Sequence, residues 1–364
     1  MKGNIKGTRT FSEIKGVKIS GSCTAFPEPL NLPDGRIISN ITNEDIFEML
    51  LGKNYLDALQ KMGMNPEHPE KVVGLKNRKW THLIGTPTNH NEENMVDLAV
   101  KAGKGLFTKL NLNPEDIDFV VVSSTTPHKT TTSSACAIAE GLGIKSPCID
   151  LKAGCTSALY AILTAYSYVK AGFGKVLLIG SETPSKYANP KIKETIMGVG
   201  DGAIALLLEP TDEDLGIISG ALGADGELGK LVQTPGLLPP THDAIENGMY
   251  FYQGDSDSLK EAVPPRYIDA LLTTLKSASL DISNIDLYIP HQINKLLTSK
   301  VCEKMGIPPE KQFYNLDRYA NLAGCAVLVA LHDAINEGFI KKGNIVALNT
   351  VGGGLTWGAI LLKF

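Results

Sequence analysis

A weak internal repeat constrains this chain most. The run from Ile117 to Val121 resembles the run from Ile285 to Ile289, an offset of 168 residues from Asp118 to Asp286. Lys170–Phe173 resembles Asn336–Phe339 at an offset of 166, and Gly202–Leu207 resembles Gly358–Leu362 at an offset of 156. The openings also agree, Gly16–Gly21 with Gly216–Gly220. A period this long is no solenoid repeat. It predicts two copies of one unit packed together, residues 1–214 and 215–364, joined near the polar stretch Glu209–Asp214.

Each copy reads as strand alternating with helix. Asp118–Ser123, Lys175–Gly180, Ala203–Leu208 and Asn344–Asn349 are short aliphatic or β-branched runs, the pattern of buried strands. Thr156–Ala171 and Ala323–Glu337 carry helical periodicity between them. Such alternation predicts an α/β fold with mixed or parallel sheets covered on both faces. With 364 residues, 43% hydrophobic and 20% charged, the chain buries a core without help from disulfides or metal.

The same numbers exclude function classes. The first fifteen residues hold no apolar run of a signal peptide, and the longest apolar stretch, Ala203–Leu208, is far short of a membrane span. A cytoplasmic protein without a membrane segment is expected. Its six cysteines form no CxxC pair, so reduced thiols are expected and a metal site is not. A net charge of −4 argues against nucleic acid as a partner.

The repeat also aligns two polar residues. Cys155 and Asn321 stand 166 apart, each where a strand-and-loop segment, Cys148–Gly154 or Phe313–Ala320, gives way to a helix. A pseudo-twofold arrangement brings two such helix starts to one centre. Gly154 permits a tight turn before Cys155, and a thiol at a helix N-terminus is expected to have a lowered pKa. Read alone, Cys155 is as well explained as core packing and Asn321 as a helix cap. His291 follows the strand Ile285–Pro290, and strand ends gather active sites in α/β folds. The other histidines, at 68, 82, 90, 128, 242 and 332, read as surface or structural. Gly352–Gly354 follow a strand and offer close backbone approach and N–H groups; no helix follows, which disfavours a dinucleotide loop. Gly198–Gly202 runs into a strand and reads as a turn.

Taken together, Asp150 with Cys155, Pro290-His-Gln-Ile-Asn294, Asn321 at a helix start, Gly200-Asp-Gly-Ala203 and the closing Gly352-Gly-Gly-Leu-Thr-Trp-Gly358 resemble β-ketoacyl-(acyl-carrier-protein) synthase III of the thiolase superfamily, over roughly 16–364. The resemblance implies a five-layer αβαβα fold of two duplicated halves and a homodimer without cofactor. It implies a catalytic triad of Cys155, His291 and Asn321, and an oxyanion hole from the amides of Cys155 and Gly353. The chemistry implied is acyl transfer from an acyl-CoA or acyl-carrier-protein thioester to Cys155, then Claisen-type condensation with a malonyl- or β-ketoacyl-thioester.

Three departures from the family pattern bear on substrate. Extra sequence, Leu56–Pro69, lies between Ile46 and Trp80, and His68 falls near the place of the family's adenine-stacking aromatic. Small residues, Thr131 with Thr132 beside it, stand where the family has a gating aromatic of the acyl tunnel. No Glu stands there, against the head-to-head olefin-pathway enzymes. Leu296 replaces an arginine on the helix after His291, leaving Asn294, Lys295, Lys300 and Lys304 as carrier or CoA contacts. Such departures resemble secondary-metabolism relatives that form dialkylresorcinols, stilbene precursors or quinolones. Acyl transfer to an alcohol or amine without condensation is the alternative enzyme reading, and a binding module the third.

Overall fold

The aliphatic runs become strands because both faces of each are covered, so period-two alternation gives way to continuous burial. The computed structural model describes residues 5–32, 34–88 and 91–364. In the first half, β1 (Val17–Ala25), β2 (Phe119–Ser123), β3 (Cys148–Leu151), β4 (Val176–Glu182) and β5 (Gly202–Pro210) form a sheet ordered β1-β5-β4-β2-β3. In the second, β6 (Gly216–Ala224), β7 (Leu287–Pro290), β8 (Ile345–Gly352) and β9 (Thr356–Lys363) are ordered β6-β9-β8-β7. Directions match position for position: β4–β5 and β8–β9 are antiparallel, β2–β4 and β7–β8 parallel. Even the place of β3 has a remnant, a parallel bridge from Tyr288 to Gln312. The repeat read in the sequence is thus a repeat of topology.

Helices complete five layers. Between the sheets lie α3 (Ser157–Lys170) and α6 (Ala326–Asn336), packed against strands of both halves through residues such as Ile162, Leu178, Leu328 and Leu348. Outside the first sheet lie α1 (Met95–Leu110) and α2 (Ser134–Leu142), and outside the second α4 (Ser256–Ser277) and α5 (Lys295–Met305). The αβαβα arrangement is the expected one. The pairing is not wholly segregated, however. Arg9–Phe11 and Ile14–Lys15 pair antiparallel with β6, so residues ahead of β1 belong by hydrogen bonding to the second sheet.

Of the extra sequence, Leu56–Lys61 lies in a short helix, Tyr55–Lys61, which follows another, Asn43–Leu51, begun by a Thr42–Asp45 capping box. They pack with Trp80, Ile196 and Met197 into a small separate core beside the central layers. Gly74, at φ +89°, then lies against Lys295 at the start of α5, where a Cβ would meet the Lys295 Cβ at 3.0 Å. No helix among the described residues is long and apolar enough to cross a membrane.

Candidate active site

Cys155 sits in the turn between β3 and α3, two residues before the first helical residue. Gly154 makes that turn possible. Its φ of +58° lies in the left-handed region, and any Cβ there would overlap the Gly353 carbonyl oxygen and lie 2.8 Å from the Gly353 amide nitrogen. From the other side, a Cβ on Gly352 would overlap the Cys155 amide nitrogen and lie 3.0 Å from the Cys155 α-carbon. The glycine triplet that leaves β8 therefore presses its backbone onto the Cys155 turn of the other half. The Thr356 hydroxyl fixes the seam by donating to the Ala153 carbonyl at 2.8 Å, and the Ala153 amide donates to Ser157 Oγ at 2.6 Å.

As a result, the backbone amides of Gly353 and of Cys155 itself lie close enough to the Cys155 sulfur to favour its ionised form. The lowered pKa expected from the helix start does not hold. Burial pushes the thiol up to about 12, the nearby Glu182 carboxylate adds to the rise, and the two amides oppose it only in part. Desolvation acts on the whole charge, whereas the helix end contributes only fractional charges.

His291 follows the last residue of β7, its amide bonded to the Asn349 carbonyl at 2.8 Å, three residues before Gly352. Its ring is 1% exposed, and neither nitrogen has a hydrogen-bond partner. Burial alone lowers its pKa to about 4, so the imidazole is neutral near pH 7 and keeps one N–H to donate. Two such orphan atoms in a core are uncommon and mark a place where another group belongs.

Asn321 lies just before the turn Ala323–Cys325 that opens into α6. Its Oδ1 accepts from the Ala323 amide at 2.9 Å, which leaves Nδ2 without a protein acceptor among the described residues. Its backbone bridges the glycine-rich segment read as a simple turn: Asn321 N donates to Gly198 O at 2.9 Å and Gly200 N donates to Asn321 O at 3.1 Å. Ala320 and Ala323 on either side both hold positive φ, 55° and 46°. Such strain, carried by residues with a Cβ, concentrates where surrounding structure fixes a functional group.

Sequence reasoning missed the supports of these residues. Arg78 is fully buried and donates to the carbonyls of Ile41, Lys76 and Met197 and to Asn43 Oδ1, while burial lowers its pKa to about 10. Asp201 is likewise buried and accepts from Thr81 and Ser185. Glu182, at the end of β4, is also wholly buried beside Cys155, with its carboxyl raised to about 7 by desolvation. A carboxylate closing an apolar strand was the available signal, since strand ends of α/β sheets face the site.

The residues expected to contact substrate lie farther out. Thr131 and Thr132 are exposed on the loop before α2. Asn294 caps α5, accepting from Leu297 N at 3.1 Å, and Lys295 lies over the Tyr314 ring at 5.6 Å, whereas Lys300 and Lys304 are exposed. His68 is exposed at the edge of the inserted segment. His82 is buried against Glu92 and His332 bonds Ser22, whereas His90 lies outside the described residues.

Comparison with known proteins gives a consistent outcome. Residues 149–226 match the family model for 3-oxoacyl-[acyl-carrier-protein] synthase III, and residues 275–364 match that of its C-terminal part. The β-ketoacyl-[acyl-carrier-protein] synthase III of Natranaerobius thermophilus is 35% identical over 300 residues, 80% of this chain and 89% of that one. That of Desulfitobacterium hafniense is 34% identical over 315 residues, 85% and 92% of the two chains. The crystal structure of the Aquifex aeolicus 3-oxoacyl-[acyl-carrier-protein] synthase III superposes with a TM-score of 0.79 at 27% identity, covering 96% of this chain and all of that one. OleA of Xanthomonas campestris shares the fold, with a TM-score of 0.77 at 17% identity over 97% of this chain and all of its own.

Proposed function

The chain belongs to the 3-oxoacyl-[acyl-carrier-protein] synthase III family, and from that premise we propose that Cys155 is the residue acylated in its Claisen-type condensation. The enzyme is an acyltransferase of fatty-acid synthesis whose partners are thioesters. The first half, 1–214, supplies the nucleophile; the second, 215–364, supplies the His–Asn pair.

The observation that carries the assignment is the interlock of the Gly352–Gly354 backbone with the Cys155 turn, which sets the Gly353 and Cys155 amides close to the Cys155 sulfur. When an acyl carbonyl carbon bonds to that sulfur, its oxygen lies within reach of the same donors, which suits a tetrahedral oxyanion. Acylation expels the carrier thiol, and the sulfur's proton leaves with it. For the second half-reaction, His291 N–H and Asn321 Nδ2 are the unused donors. Aimed at the thioester oxygen of a malonyl-type extender, they hold the enolate formed as carbon dioxide departs. The enolate carbon attacks the acyl carbon, the C–S bond to Cys155 breaks, and a β-ketoacyl thioester leaves. The acyl donor is acyl-CoA or acyl carrier protein, with Asn294, Lys295 and Lys300, at the start of and along α5, as carrier contacts.

The enzyme acts as a cytoplasmic homodimer in this reading. Support comes from β3, an edge strand of the first sheet, and from the neighbouring exposed Thr131 and Thr132. Ser133 and Ala135 tie that loop to β3 through Asp150 at 2.6 and 3.0 Å. A second subunit on this edge converts two exposed threonines into a wall of an acyl tunnel. All six cysteines are free, which suits a reducing compartment.

Incubation with acyl and malonyl thioesters, followed by mass spectrometry, tests the reading. An acyl adduct on Cys155 and a β-ketoacyl product are expected. Transfer of the acyl group only to oxygen or nitrogen would replace condensation by simple acyl transfer.

A further inference from the structure

One buried carboxyl beside Cys155 has no part in the chemistry above. Glu182 accepts hydrogen bonds from two segments distant in sequence. Its Oε1 receives Thr125 N at 2.8 Å and Gly324 N at 3.0 Å; its Oε2 receives Thr126 N at 3.1 Å and Thr126 Oγ1 at 2.5 Å. Thr125 Oγ1 reaches both oxygens at 3.1 Å, and Ser124 Oγ approaches Oε2 at 3.4 Å. Thr125 and Thr126 begin the loop that leads to Thr131. Gly324 lies three residues beyond Asn321, and a Cβ there would meet Glu182 Oε1 at 2.5 Å and the Gly154 carbonyl at 3.6 Å. One carboxylate thus joins the acyl-loop segment of the first half to the Asn321 loop of the second, immediately behind the Cys155 turn.

We propose that Glu182 is a positioning residue for the condensation, its carboxylate clamping the Thr125–Thr126 segment to the Asn321–Gly324 loop so that both walls of the Cys155 site keep their spacing. The inference rests on the reading of Cys155 as nucleophile. The ionisable groups that feel this carboxylate are Cys155, Cys325, Tyr187 and Tyr252, none of them a cation. Its charge is therefore held by N–H and O–H dipoles alone, and protonation removes an acceptor from a site surrounded by donors. Since burial raises the carboxyl to about 7, the clamp is complete above that pH and weakens as pH falls through it.

The test compares wild type with Glu182→Gln and Thr126→Val, using an acyl-CoA and a malonyl thioester. Glu182→Gln keeps the size of the side chain but turns an NH2 group toward the amide donors. Its kcat should fall about tenfold or more, because small displacements of reacting groups cost rates of that order. The acid limb of the wild-type kcat near pH 7 should vanish in Glu182→Gln and persist in Thr126→Val, whose kcat falls less. Alkylation of Cys155 by iodoacetamide at pH 8 should be at least as fast in Glu182→Gln as in wild type, because a neighbouring negative charge is gone. That readout needs no thioester, so it tests the carboxylate's placement beside Cys155 even if wild type fails to condense. Wild-type turnover in Glu182→Gln, an identical acid limb in both proteins, or slower alkylation in the variant each overturns the clamp. Should Glu182→Gln not fold, unchanged kcat in Thr126→Val overturns it instead.

Discussion

Gly154 and Gly353, from opposite halves of a duplicated fold, meet backbone to backbone, so closely that a single methyl group on Gly154 would overlap the Gly353 carbonyl. Gly154→Ala is expected to be costly twice over. The left-handed φ alone costs a residue with a Cβ about 1–2 kcal/mol, and relief of the overlap must displace the Gly353 amide. Thermal melting should show a lower Tm, and intact-protein mass spectrometry should show Cys155 acylation slowed by about a hundredfold, the loss typical of an oxyanion donor. A variant with native melting and native acylation would mean that the two loops do not abut.

The Cys155 thiol is raised to about 12 by burial and by Glu182, and this fixes the sign of its pH dependence. Below that value the thiolate fraction grows tenfold with each pH unit. Iodoacetamide alkylation of Cys155 in the free enzyme should therefore rise with unit slope between about pH 8 and 10 and show no plateau. A plateau near pH 8 would reveal a thiolate stabilised by the helix end after all. Cys155→Ser, run beside it, should lose both the alkylation and the acyl adduct.

In the proposed reaction, Asn321 is the residue whose loss should separate the two half-reactions. Asn321→Ala removes the unused Nδ2 donor while leaving the Cys155–Gly353 amides in place. Loading of Cys155 should continue, and release of β-ketoacyl product should fall by about a hundredfold or more. The bond from Ala323 N to Asn321 Oδ1 is also lost, at about 0.5–2 kcal/mol of stability, the range of a side-chain cap. A change in melting with condensation untouched would make Asn321 a cap and nothing more.

Arg78 tests whether the support beneath Asn321 matters. It ties Met197, just ahead of the Gly198–Gly200 segment, to Ile41, Asn43 and Lys76, with no carboxylate within ion-pair distance among the described residues. Arg78→Ala should cost about 3 kcal/mol or more, since hydrogen bonds from a charged group contribute about 1.5–3 kcal/mol each. Arg78→Lys should rescue little, because an ammonium lacks the planar fork that reaches several carbonyls at once. The comparison is made by thermal melting and by condensation rate; full recovery in Arg78→Lys would contradict the argument.

Much of this site is legible in the sequence because its parts are backbone features with local signatures. Gly154, Gly352 and Gly353 are glycines for reasons of space, and Cys155 and Asn321 share a repeat offset that the topology preserves. Less legible are properties that depend on burial from several directions at once. Nothing near Cys155 in the chain announces that Glu182 will lie beside it, or that desolvation will outweigh the helix end. Arg78 stands in a polar stretch, Lys76–Lys79, yet it is completely buried, held by Ile41, Asn43, Lys76 and Met197. The swap of Arg9–Lys15 onto the second sheet is invisible as well, because a three-residue strand carries no periodicity.

That swap has a consequence for how the two copies behave as separable parts. The link between β5 and β6 is the short exposed stretch around 211–215, the obvious place to cut the chain into its duplicated units. A cut there leaves the amino-terminal fragment still holding Arg9–Phe11 and Ile14–Lys15 against β6, and the interleaved α3 and α6 still sharing one interior. The pieces are expected to stay associated as a nicked whole, and the carboxy-terminal piece expressed apart lacks Arg9–Phe11 and Ile14–Lys15 at the edge of its sheet. The two copies are thus expected to unfold as one cooperative unit rather than as separable domains.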